Sequence, residues 1–173
     1  MTMEDQEAIR CCLKGDMNAF EHVVRRHQQK GLAHARALTG NDADAADALQ
    51  EAFVDAFRAL ARFDLDEKFY PWFAAILRNR CIKQRTRRAT RPESAVIEDR
   101  ETRPPLSPEQ SVGLSVALDR LGPDDRELIV LKHLHGWTYD ELAAHLGTPR
   151  GTIMSRLFTA RQKLQVLMSG DAL

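Results

Sequence analysis

Between Pro149 and Leu164 the chain carries Arg150, Arg156, Arg161 and Lys163 and no acidic residue, with the hydroxyls of Thr152, Ser155 and Thr159 interleaved. Guanidinium and ammonium groups neutralise phosphates, and hydroxyls exchange hydrogen bonds with base edges, so this spacing suits a helix laid against DNA. The elements that must present it are legible. Thr138 with Glu141 three residues later forms a capping box, Leu142, Ala143 and Leu146 make one apolar stripe, and Gly147 ends that helix. Thr148 as N-cap and Pro149 at the first helical position predict a second helix, whose Ile153, Leu157, Ala160, Leu164 and Leu167 recur as a buried seam. The two together read as a helix-turn-helix, with Arg150, Thr152, Ser155, Arg156 and Thr159 turned away from the core.

A second constellation lies upstream. Phe63, Phe69, Tyr70, Trp72 and Phe73 crowd into one loop and helix start, and Arg78 to Arg91 then carries seven basic side chains and no acidic one. Most of the aromatic area belongs to packing. Yet rings beside a cationic helix also suit single-stranded nucleic acid, whose bases stack for about 1–3 kcal/mol each while Lys and Arg follow the backbone. Six cations, Arg78, Arg80, Lys83, Arg85, Arg87 and Arg88, exceed what helix capping uses.

Opposite in sign is the stretch from Asp42 to Glu67, with eight carboxylates against Arg58 and Arg62. Leu49, Ala52, Phe53, Ala56, Phe57 and Leu60 form its core stripe, which leaves Asp47, Gln50, Glu51, Asp55 and Arg58 outward. The chain's 25 basic and 25 acidic residues cancel. A neutral total built from opposite blocks implies one surface for a basic partner and another for a polyanion.

The remaining composition bounds the function class. Cys11 and Cys12 are adjacent and Cys81 is far away, which gives no disulfide framework and fits a reduced, cytoplasmic setting. The six histidines show no zinc-ligand spacing with the cysteines, so neither metal nor cofactor is expected. A signal peptide and a membrane span are likewise not expected. With no Gly-rich phosphate loop and no nucleophile constellation, the reading is of a protein that is not an enzyme.

The fold class read from these patterns is all-α, in two small helical domains. Helices are expected near Met3 to Leu13, from about Asp16 with Phe20, Val23, Val24 and His27 on one face, and from Asp44 to Phe63 after the turn Thr39-Gly-Asn41. Ala89 to Glu109 holds four of the seven prolines, Pro92, Pro104, Pro105 and Pro108, and has no sustained period. The expected organisation is a first domain over 1–90, a flexible linker over 91–109 and a second domain over 110–173.

Four segments carry a resemblance: Asp-Ala-Ala-Asp-Ala-Leu-Gln-Glu-Ala-Phe (44 to 53), Phe-Arg-Ala-Leu-Ala-Arg-Phe (57 to 63), Phe-Tyr-Pro-Trp-Phe-Ala-Ala-Ile-Leu-Arg-Asn (69 to 79) and Gly-Thr-Ile-Met-Ser-Arg-Leu-Phe-Thr-Ala-Arg (151 to 161). In this order they closely resemble the extracytoplasmic-function (ECF) sigma factors of bacterial RNA polymerase. The resemblance implies sigma region 2 over 1–90 and sigma region 4 over 110–173. It implies an alternative sigma factor that binds core polymerase and directs initiation at selected promoters. Its implied docking face for the clamp helices of the largest subunit is Asp44, Asp47, Gln50 and Glu51, with region 4 at the flap. The implied minus-10 contacts are Phe63, Ile76 and Asn79 around a flipped base, Tyr70 and Trp72 near the junction, and Arg80, Lys83 and Arg87 on the backbone. The implied minus-35 contacts are Met154, Ser155, Phe158 and Thr159, with Arg150, Arg156 and Arg161 on phosphates and Thr152 beside them. An anti-sigma factor is a further implied partner.

The chain departs from the family at three of these positions. Met154 and Thr159 stand where the family is usually basic, and Lys83 stands where it is commonly polar or acidic. A methionine contacts a thymine methyl rather than a guanine edge, which changes base preference. Two other functions are open to the same sequence: a dimeric helix-turn-helix regulator that binds a palindrome without polymerase, and a sigma mimic that binds an anti-sigma factor. Neither accounts for both halves of the chain.

Overall fold

The structure, a computed structural model, describes residues 4–89 and 108–169. Among these residues every regular element is helical. The first half contains α1 (Asp5–Leu13), α2 (Phe20–Thr39), α3 (Asp42–Ala59) and α4 (Phe69–Ala89). The second contains α5 (Pro108–Arg120), α6 (Pro123–Ile129), α7 (Tyr139–Leu146) and α8 (Arg150–Ser169). The linker expected over 91–109 lies outside the described residues except for Pro108 and Glu109, which begin α5.

Local chemistry sets the helix ends. Asp16 accepts a hydrogen bond from the Asn18 amide and caps a 3-10 turn, Met17–Ala19, so the helix expected from about Asp16 begins in earnest at Phe20. Gly40, at φ 81°, closes α2 in the left-handed conformation that glycine adopts without Cβ strain. Asn41 then caps α3 through the Asp44 amide at 2.8 Å. The capping box of α7 is complete: Thr138 accepts from the Glu141 amide, and Glu141 returns a bond to the Thr138 amide at 2.8 Å. Gly147 ends α7 at φ 59°. The Thr148 hydroxyl donates to the Leu146 carbonyl, and α8 starts at Arg150, one residue after Pro149.

The first half packs α2, α3 and α4 around an aromatic core. Phe53 stacks on Phe73 at 4.5 Å between ring centres, Phe69 stacks on Phe73 at 5.6 Å, and Phe20 meets Phe57 edge-on at 5.1 Å. Helices α2 and α3 approach closely at Gly31, where an added Cβ would lie 2.6 Å from Leu49 Cδ1. Asp5 fastens α1 to α2 through His27 and Arg26, both at 2.8 Å. Burial raises the Asp5 pKa, but bonding to His27 and the charge of Arg26 outweigh it and hold the carboxyl below its ordinary value.

In the second half Leu128, Leu131, Leu142, Ile153, Leu157 and Ala160 are buried together, as the helix-turn-helix seam requires. Val130–Leu134 continues α6 as a π-helical turn, which the sequence pattern does not foreshadow. Lys132 closes the following loop by donating to the Trp137 carbonyl at 2.9 Å.

The two halves meet. Helix α2 packs on α6 and the π turn, and α4 packs on α7. Tyr70 is sealed into this joint, 5% exposed, its hydroxyl donating to the Lys30 carbonyl at 3.2 Å, with the Trp137 ring edge-on at 6.3 Å.

Phe73 carries the first core most directly. Phe73→Ala should destabilise the chain by about 3–5 kcal/mol in urea unfolding followed by circular dichroism. A loss below about 1 kcal/mol would mean that the stacked rings do not hold this core.

Candidate functional site

Helix α8 shows two faces. Its seam is fully buried at Ile153, Leu157 and Ala160, and the opposite strip exposes Thr152, Met154, Ser155, Phe158 and Thr159. Met154 at 49% and Phe158 at 59% exposure are large apolar groups four residues apart on one helix surface. The Ser155 hydroxyl donates to the Thr152 carbonyl at 3.0 Å and that of Thr159 to Ser155 at 3.1 Å, which leaves their oxygen lone pairs outward. Arg150 pairs with Asp140 at 3.3 Å, both well exposed, a weak tie that phosphate can displace. Arg161 donates to His133 Nε2 at 3.1 Å. Burial, then the charges of Arg161 and Lys132, lower the His133 pKa and keep the ring a neutral acceptor. Arg156 is half-buried beside this strip.

Helix α4 divides its basic run among three directions. Arg80 donates to Asp55 and to Glu51, the latter at 2.6 Å, and Arg87 lies 3.9 Å from Glu51. Arg88 donates to Asp44 at 3.0 Å, where Gln84 and Asn41 also bond. Bonding to Asp55, with the charges of Asp55 and Glu51, raises the already high Arg80 pKa. Burial pushes the Asp44 carboxyl up, but bonds from Asn41, Arg88 and Gln84 hold it lower than usual. Arg78 turns instead to the second half. Lys83 and Arg85 face solvent with no hydrogen bond or ion pair among the described residues.

Of the carboxylates on α3, Asp47 faces outward with Gln50 beside it, and Asp42 is exposed but paired with Arg36 at 2.6 Å; Glu51, Asp55 and Asp44 are half-buried and engaged by α4. Among the aromatics, Trp72 and Ile76 are half-buried, and Asn79 is exposed on the same α4 face at helical spacing. Phe63 is 7% exposed, tucked against Trp72 at 5.0 Å and Phe69 at 5.8 Å. It supports the face rather than forming its surface.

A third cluster lies in the joint. Glu127 of α6 is 0% exposed and receives bonds from His34 at 2.9 Å and His145 at 3.2 Å on Oε1, and from Arg78 at 2.9 Å on Oε2. Burial alone raises its pKa, but His145, His34 and Arg78 hold it far below the ordinary carboxylate range. Burial lowers the His34 pKa, although Glu127 opposes the shift. Nearby His135 falls to about 3 through burial and the charges of His34 and Lys30. The Nδ1 atoms of His34 and His145 are buried without partners, which costs about 1–3 kcal/mol for each such group. Cys81, buried at the same core, has its thiol pushed up to about 12, chiefly by burial, and is thereby inert.

Comparison with known proteins matches both halves of the chain. Residues 23–91 match the family Sigma-70 region 2, and residues 112–164 match Sigma-70, region 4. The ECF RNA polymerase sigma-E factor of Escherichia coli is 32% identical over 178 residues, covering 94% of this chain and 93% of that protein. This chain belongs to the ECF sigma factors. The RNA polymerase sigma-H factor of Pseudomonas aeruginosa is 29% identical over 177 residues, covering 93% and 92%. Among solved structures, CnrH in complex with the cytosolic domain of CnrY aligns with a TM-score of 0.72 at 29% identity, covering 97% and 99% of the two chains. The sigma factor RpoE in complex with the anti-sigma factor NepR, from Bartonella quintana, aligns with a TM-score of 0.73 at 27% identity, covering 87% and 96%.

In this sigma factor the candidate residues from Asp44 to Arg87 fall inside the region 2 match, and those from Arg150 to Arg161 inside the region 4 match. The α8 strip brings its predicted residues together on one open face. On α3 and α4 the predicted acids and bases are brought together differently, as partners of one another. Reading the sequence missed Glu127, His34 and His145, since His34 and Glu127 lie 93 residues apart and belong to separate patterns. No described helix is long and apolar enough to cross a membrane.

The network between α3 and α4 is measurable in the free protein. A double-mutant cycle between Arg80→Ala and Asp55→Ala should give a coupling of about 1 kcal/mol at low salt, shrinking as salt is added. Zero coupling at low salt would make this ion pair energetically irrelevant.

Proposed function

We propose that this alternative sigma factor divides promoter recognition among three surfaces. Asp47, Gln50 and the α3 acids around them receive the basic clamp helices of the largest polymerase subunit. Trp72, Ile76 and Asn79 hold bases of the melted minus-10 strand, backed by Phe63, while Lys83, Arg85 and, once released from Glu51, Arg80 and Arg87 follow its phosphates. The α8 strip reads the minus-35 duplex through Met154, Ser155, Phe158 and Thr159, with Arg150, Arg156 and Arg161 on phosphates. The observation that carries the reading is the pairing of two sigma matches with an exposed, acid-free recognition helix.

The phosphodiester chemistry belongs to the polymerase, and the sigma factor, acting in the cytoplasm, contributes binding alone. Extracting a base costs a few kcal/mol of unstacking, which the pocket and the cations offset. The similar sigma factor RpoE, solved in complex with the anti-sigma factor NepR, supports an inhibitor of that kind as a partner here.

Geometry adds a requirement. Elements centred 25 base pairs apart are separated by about 85 Å along B-DNA, whereas a chain of this length packed into one body measures about 40 Å across. The halves must therefore part at the Glu127 joint for both elements to be held. Any stretch of 18 residues, the number that separates Ala89 from Pro108 in sequence, reaches at most about 60 Å when fully extended, which is long enough for two halves so joined to bridge the distance. Parting also uncovers Tyr70 for the junction.

The test is transcription in vitro with cognate core polymerase and a library of promoter fragments. Initiation dependent on this chain is expected at a small set of promoters sharing two elements. Binding to a palindrome without polymerase and no added initiation would favour the regulator instead. Asp47→Arg is the cleaner docking variant, since Glu51→Arg would also break the bond to Arg80. It should weaken core binding about tenfold or more in a pull-down with the fold intact, through like-charge repulsion. Unchanged binding would remove α3 as the docking face.

A further inference from the structure

We infer that the joint between the halves is a binding site for a divalent transition-metal ion of the zinc class, held by His34, Glu127 and His145. These three residues come from α2, α6 and α7, and one ligand atom from each lies within 4.8 Å of the others. All three side chains are excluded from solvent, at 0%, 0% and 2% exposure. This inference does not rest on the roles proposed above for the promoter-binding surfaces.

The donor geometry is close to that of a metal shell. Ligands bound at about 2.0–2.1 Å around a tetrahedral zinc lie roughly 3.3 Å from one another. His34 Nε2 and His145 Nε2 stand 2.9 and 3.2 Å from the same Glu127 oxygen, so these two edges need adjustments of only tenths of an ångström. Two imidazole nitrogens with one carboxylate oxygen select zinc or a neighbouring transition metal over magnesium or calcium, which prefer all-oxygen shells. Three protein donors leave the fourth position to water or another ligand.

Hydrogen bonding alone gives a poor reason for two histidines here. Both rings spend their Nε2 atoms on a single carboxylate oxygen, two donors converging on one acceptor. Arg78 meanwhile holds the other oxygen, Oε2, at 2.9 Å, which fixes the carboxylate and leaves Oε1 aimed at the rings. Its charge opposes a cation, but Arg78 is a quarter exposed and shares that charge with Asp124 at 3.4 Å. The resulting affinity is below that of a closed cysteine-rich site. Because the ligands come from both halves, the bound ion clamps the two together.

The experiment uses the full chain stripped with a chelator and titrated with Co2+, whose visible absorption reports tetrahedral coordination, followed by displacement with Zn2+. One equivalent is expected, with His34→Ala and His145→Ala each lowering affinity by at least about a hundredfold. His22→Ala, at an exposed histidine outside the cluster, should bind as the parent does. Absence of binding by the parent chain overturns the inference. So does binding undiminished in both His34→Ala and His145→Ala, which would put the ion elsewhere. X-ray absorption of the zinc-loaded parent needs no variant: two imidazoles and no sulfur are expected, and a sulfur shell from Cys11, Cys12 or Cys81 contradicts the site. Failure of any of these readouts leaves the sigma activity, measured by transcription, untouched.

Discussion

Glu127 of α6 sets an ionised carboxylate where water does not reach it, and three other elements must meet that charge. His34 from α2, Arg78 from α4 and His145 from α7 do so, and in doing so they fix how the two halves sit. Leaving such a charge unpaired costs about 3–5 kcal/mol, so the joint has one good arrangement and few near alternatives. The same chemistry makes the joint separable. A boundary built on a charged centre, with Tyr70 and Trp137 edge-on beside it, is partly polar, as contacts between separable domains commonly are. Once apart, Glu127 and Arg78 regain water, which offsets much of the lost pairing.

A related economy governs α3 and α4. The residues expected to meet polymerase and those expected to meet DNA phosphates are bonded to one another in the free chain, through Arg80 with Glu51 and Asp55, and Arg88 with Asp44. Neither set is exposed as a bare field of one sign. A basic partner on the acids and a polyanion on the bases would each displace the internal pair, so under the proposed roles the two binding events would favour one another. Such pairs are only partly buried, and exchanging them for intermolecular ones changes the free energy little.

Much of this was legible in the residue pattern because it is local. The Thr138 and Glu141 box, Gly147 and the Ile153, Leu157, Ala160 seam specify α7 and α8 within a span of about 30 residues, and the structure has each of them. The α3 stripe is equally plain. The basic run of α4 was legible as charge but not as partnership, because helical periodicity does not tell which cations face a neighbouring acidic helix. Likewise the aromatic cluster was readable as core plus surface, while the burial of Phe63 and Tyr70 depends on how α4 meets its neighbours. The joint was not legible at all. His34 reads as one polar position on an apolar helix face, and Glu127 as one of several charges after Pro123, until the fold brings them to 2.9 Å.

The two sigma matches, the open α8 face and the distance between promoter elements support the proposal of a chain closed when free and opened when in use. Spin labels at His22 on α2 and Gln162 on α8, with Cys11, Cys12 and Cys81 replaced by alanine, report this directly through their separation. A single short distance is expected for the free chain, lengthening by roughly 20 Å or more in the complex with core polymerase and promoter DNA. The same short distance in a transcriptionally active complex would contradict opening of the Glu127 joint.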